Sequence, residues 1–187
     1  MTARQQRLHQ PGADHAGGAQ HQHPQGRRAR LRPLARAVVI GSVASVASTV
    51  TLSLASHRAT GSAVSGTNAT SHWLWGRPAQ HRRQATLRHT VPGYLIHHAC
   101  SIFWALFFER ATAHKPPPAR MATTAAVTAA MAYVVDYHVI PSRLNPGFEQ
   151  RMTGTGLLAT FASFAAGLLA GRRLLDRGAG SARSGHD

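Results

Sequence analysis

The chain has 187 residues and carries 21 Lys and Arg against 6 Asp and Glu, a formal net charge of +15. Its single cysteine, Cys100, excludes an internal disulfide and a cysteine-built metal site. The arginines gather at the flanks of apolar stretches rather than along one helix face, which argues against nucleic-acid binding and for the loops of a membrane protein.

Residues 1–33 are rich in Gln, His, Gly and Arg and bury too little apolar surface to offset ordering entropy, so they read as a disordered tail. His9, His15, His21 and His23 lack a fixed ligand spacing there. Arg27, Arg28, Arg30, Arg32 and Arg36 stand just before the first apolar stretch, where anionic lipid headgroups are their natural partner.

Four apolar stretches follow, at about residues 37–55, 91–108, 119–140 and 153–171. Each approaches the roughly 20 residues that a bilayer crossing needs. The expected fold is therefore all-α: an integral membrane bundle of four transmembrane helices over 34–175, with disordered tails at 1–33 and 176–187.

In the first stretch, Val39, Val43, Val46, Val50 and Leu54 form one helical stripe, predicted to face lipid. Gly41, Ser45, Ser48, Thr49 and Ser53 form the other, predicted to face the bundle, because small residues let helices approach closely in lipid. The loop that follows holds Trp73 and Trp75, expected as interface anchors, and its run Thr67 to Gly76 predicts a short interfacial or re-entrant helix.

The second stretch places Leu95, Ile96, Ala99, Ile102, Phe103, Leu106 and Phe107 on one side, and Tyr94, His97, His98, Ser101 and Trp104 on the other. Glu109 at its end predicts a surface ion pair with Arg110 or Arg120. Pro116, Pro117 and Pro118 force an extended connector.

The third stretch lines up Ala122, Ala125, Ala129, Ala132 and Asp136, with Val127, Met131 and Val134 opposite. His138 lies far around the helix from Asp136 unless the helix distorts before Pro141, and is predicted at the membrane interface. The fourth repeats a small-residue face through Gly156, Thr160, Ser163 and Gly167.

With the N-terminus inside, 14 Lys and Arg fall on inner segments and 7 on outer ones, favouring a multi-pass N-in/C-in protein. Antiparallel crossings then bring His97, His98 and Asp136 to similar depth, with Tyr94 and Ser101 beside them. His72, His89, Arg143 and Glu149 emerge at the same membrane face. Three readings fit this cluster. Asp136 pairs with His97 or His98 and pins two helices. Asp136 and a histidine relay a proton or ion. Or His97, His98 and Asp136 ligate a divalent metal, no other cofactor being expected. No Walker loop, HExxH, CxxC or nucleophile elbow occurs, so no enzymatic reaction is indicated.

The runs His72-Trp-Leu-Trp-Gly76, Ile96-His-His-Ala-Cys-Ser-Ile-Phe-Trp104 with Phe108-Glu109, Val135-Asp-Tyr-His-Val-Ile-Pro141 and Pro146-Gly-Phe-Glu149 resemble those of small uncharacterised bacterial inner-membrane proteins. Some of these are labelled sodium:proline symporter-like. The resemblance covers about residues 57–171 and implies a four-helix membrane fold in the bacterial inner membrane, with no established activity. The function expected is the handling of a proton, ion or small solute. The alternatives are an accessory subunit, assembled with its own copies or with another membrane protein, and a metal-binding membrane protein.

Overall fold

The computed structural model describes residues 24–184, with side-chain surroundings over 33–178. Of the tails expected at 1–33 and 176–187, residues 1–23 and 185–187 lie outside the described residues. Six α-helices follow in order: α1 (Pro24–Thr60), α2 (Ser65–Thr70), α3 (His72–Trp75), α4 (Thr90–Ala111), α5 (Pro118–Val134) and α6 (Gly154–Ser184). No strand occurs among the described residues. Three helices are long and apolar enough to cross a membrane: Pro33–Thr60, Thr90–Ala111 and Gly154–Gly178. At about 1.5 Å rise per residue, the 22 residues of α4 match the roughly 30 Å hydrocarbon core.

Two helices outrun their predicted bounds. α1 begins at Pro24 rather than near residue 34, and α6 continues through 176–184, which composition marks as tail. Arginine is a good helix former, and the Arg172–Asp176 pair at i,i+4 carries α6 past the apolar span. The predicted third crossing differs in the other direction. Its α-helical geometry stops after 17 residues at Val134, and a π turn, Val135–Val139, completes the segment. The helix thus distorts before Pro141, yet His138 still comes out exposed rather than facing the interior with Asp136.

α1 and α6 run antiparallel in a tight register. Gly156 faces Ala55, the Ser163 hydroxyl donates to the Ala47 carbonyl at 2.8 Å, Gly167 faces Ala44 and Gly171 faces Ile40. A Cβ at Gly167 would lie 2.5 Å from the Ala44 Cα, and one at Gly171 2.8 Å from the Ile40 Cα. Only glycine allows these backbones to meet. Gly41 does the same for α4, where an added Cβ would fall 2.5 Å from the Ile102 Cα. The two stripes of α1 divide as predicted: Val46, Val50 and Leu54 are exposed while Ser45 and Ser48 are buried. Likewise Val127, Met131 and Val134 of α5 face outward and Ala125, Ala129 and Ala132 inward.

Glu109 does not form a surface pair. It is buried and accepts from Arg36 of α1 and, at 3.0 Å, from Arg172 of α6. Asp176 closes a ring by accepting from Arg172 at 3.1 Å and Arg36 at 3.4 Å. Arg172 also donates to Thr112 Oγ1 at 2.8 Å. Two cations and two anions thus tie three helices at one end of the bundle. Arg110 and Arg120 are exposed and take no part.

Candidate functional site

The opposite end is built differently. The polar segment between α1 and α4 folds back onto the bundle, and Ser65 through His72 are all buried. Asn68 holds it there. Its Nδ2 donates to the carbonyls of Arg82 and Gln84 at 3.1 and 3.0 Å, and its Oδ1 accepts from Thr90 Oγ1 at 2.7 Å. Gly93 lets α4 come close to α2; a Cβ there would sit 2.0 Å from the Thr67 carbonyl oxygen. The short helix expected around Thr67–Gly76 is therefore present as two pieces, α2 seated against α1 and α4, and α3 following it.

Beneath it lies a cavity of about 50 Å³. Its polar walls are Ser48, His97, Cys100, Ser101, Asp136 and Thr160. Trp104, Phe161 and Phe164 supply the apolar floor, and Thr70, Trp73, Pro146 and Phe148 the roof. His97 is fixed on two sides. Its Nε2 lies 3.0 Å from Ser48 Oγ, and its ring meets Phe148 edge-on at 5.7 Å. Ser48 Oγ donates to the Ala44 carbonyl at 2.8 Å, so Nε2–H donates to Ser48 and Nδ1 is the acceptor of the neutral ring. Asp136 has no hydrogen-bond or ion-pair partner among the described residues.

The structure divides the predicted cluster. His97, Ser101 and Asp136 share the cavity. His98 and Tyr94 do not line it; their rings stack at 5.6 Å, and His98 Nε2 lies 3.5 Å from Ser42 Oγ on α1. Neighbours on a helix point about 100° apart, so one turn of α4 sends the two histidines to different places. Neither histidine bonds to Asp136; the partner of His97 is Ser48.

The other same-face residues scatter. His89 lies 3.0 Å from Thr86 Oγ1 through its Nδ1, away from the cavity; burial, then Arg82 and Arg88, lower it from the ordinary imidazole value. Glu149 is exposed and accepts from Asn145 at 3.4 Å. His72 and Arg143 line a second, wider basin above the first. Trp73 lines both and donates from Nε1 to the Asn145 carbonyl at 3.0 Å. Trp75 sits outside, its ring under the Arg88 guanidinium at 4.7 Å.

Comparison of the chain with family models, curated proteins and solved structures finds no match. No group of three or more His, Cys, Asp or Glu arranged to hold a metal occurs among the described residues. Ser48 and Thr160, expected only on close-packing helix faces, and Cys100, given no role from the sequence, complete the polar wall. Their only sequence signal is the small-residue helix faces on which Ser48 and Thr160 lie.

Proposed function

We propose that this chain is a multi-pass bacterial inner-membrane protein, N-in and C-in, in which α5 and its π turn make a fourth crossing and the His97–Asp136 cavity handles a proton or small cation. The carrying observation is that His97 from α4 and Asp136 from the π turn line one cavity. Ionisable side chains within a membrane are costly and face a bundle interior or water-filled space. Cavity size narrows the cargo. Organic ligands occupy pockets of about 300–1,000 Å³, whereas one water needs roughly 10–15 Å³. About 50 Å³ admits a few waters or a bare ion.

The four runs that carry the resemblance to small bacterial inner-membrane proteins converge here. Trp73, the stretch Ile96 to Trp104, Asp136 and the Pro146–Phe148 turn all supply walls. The ion ring lies at the other end of the bundle, where the inside-facing termini hold most of the arginines.

Asp136→Asn keeps shape and hydrogen-bonding capacity but removes the charge. In proteoliposomes carrying an internal pH dye, wild-type protein is expected to dissipate an imposed pH gradient and Asp136→Asn to fail while remaining folded. Unchanged flux in the variant refutes the relay. Loss of folded protein instead assigns Asp136 to bundle assembly, and with it the role of a non-transporting subunit.

A further inference from the structure

The basin above Trp73 has the chemistry of an anion site. It encloses about 640 Å³, the size of an organic metabolite's pocket. Arg77 and Arg143 approach it from two separate loops, and Gln80, Asn145 and Gln150 add amides. No acidic side chain lines it. Behind it, the buried Arg151 donates to His81 Nδ1 at 2.6 Å, so His81 keeps its own proton on Nε2.

The decisive residue is His72, 4% exposed and in the basin wall. Its Nδ1 lies 2.7 Å from the Ala69 carbonyl, which can only accept, so the ring proton is on Nδ1. Nε2 is then a buried acceptor, and it has no partner among the described residues. A buried polar group left unpaired is costly. Two guanidinium groups call for an oxyanion; a lone imidazole acceptor calls for a hydrogen-bond donor, which a hydroxyl on that oxyanion would supply.

We propose that this basin binds a hydroxyl-bearing oxyanion, of the hydrogen-phosphate or hydroxycarboxylate class, with Arg77 and Arg143 on its charge and His72 Nε2 accepting from its hydroxyl. The site stands apart from the proton cavity, and Trp73 is the partition between them. The oxyanion could come from solution or from a lipid headgroup; one ligand chemistry serves both.

The test titrates inorganic phosphate, and separately sulfate, into full-length protein in phosphatidylcholine nanodiscs, following tryptophan fluorescence. Trp73→Phe assigns the signal to the basin. The expected result is a saturable response to phosphate, weaker binding of sulfate, which lacks a hydroxyl at neutral pH, and at least tenfold weaker phosphate binding in Arg77→Gln plus Arg143→Gln. Asp136→Asn should bind phosphate as wild type does, which separates this site from the relay. Phosphatidylglycerol nanodiscs distinguish the sources: a phosphate response lost only there means that the headgroup occupies the basin. No saturable response in phosphatidylcholine, or equal affinity in the double variant, overturns the proposal. Should the double variant fail to fold, Arg77→Gln alone and the phosphate-to-sulfate ratio of wild type decide, and equal affinities refute it.

Discussion

Arg172 Nη1 donates to Glu109 Oε2 at 3.0 Å, joining α6 to α4 where both side chains are shut off from solvent. Removing the Glu109 charge leaves two cations, Arg36 and Arg172, sharing the one carboxylate of Asp176 in a poorly solvated site. Glu109→Gln is therefore expected to cost about 3–5 kcal/mol, read as a lowered melting temperature in detergent. Replacing Glu109 by Leu together with Arg172 by Met should cost less than Glu109→Gln alone, because one cation, Arg36, then faces one anion, Asp176. A double variant less stable than the single one contradicts this account of the ring.

The glycines of α6 offer a matched comparison. Gly167→Ala puts a methyl where the Ala44 backbone lies and should destabilise by about 1–3 kcal/mol. Gly178→Ala meets nothing within 4 Å and replaces a poor helix former, so it should be neutral or stabilise by up to about 1 kcal/mol. Parallel thermal melts of the two variants check the α1–α6 register directly.

Trp73 is the wall between basin and cavity, held by its bond to the Asn145 carbonyl. Trp73→Ala should open that wall. Cys100, the chain's single cysteine, lines the cavity below. Its labelling by a small maleimide added from the basin side is expected to rise severalfold in the variant. An unchanged rate means that water reaches Cys100 by another path.

Asn68→Ala removes three hydrogen bonds, two that fold the segment on itself at Arg82 and Gln84 and one that ties it to Thr90 at the start of α4. At about 1 kcal/mol each, the loss should appear first as faster hydrogen exchange over residues 65–90, with the long helices unchanged. Uniform exchange across the chain would show that the segment and the bundle unfold as one unit.

Much of the helix arrangement was legible, because outward-facing valines and packed small residues obey the helical period. Val46 and Ser48 of α1, or Met131 and Ala132 of α5, fall on their predicted sides. The ion ring was not legible. Glu109 has Arg110 as a neighbour in sequence, yet its partners lie 73 and 63 residues away. Only the α1–α4–α6 register aims Arg36 and Arg172 at it. The site was legible in part. α4 and the π turn after α5 do bring His97 and Asp136 to one cavity, but hydropathy cannot distinguish His97 from His98. That choice is made by the close approach at Gly41 and by Phe148, which arrives from a loop beyond α5. The anion basin was out of reach for the same reason, since its walls come from two loops whose folding back depends on Asn68 and Gly93.

α4 and the π turn after α5 share one cavity inside the bundle, which places Cys100 and Asp136 in the same wall. Cross-linking native Cys100 to Asp136→Cys, with a short thiol-bridging reagent in carbonate-washed membranes, probes that placement. An intramolecular link between 100 and 136 is expected in the membrane pellet, and none between Cys100 and Leu158→Cys on the outward face. Absence of the 100–136 link, or release of the protein into the wash, would contradict it.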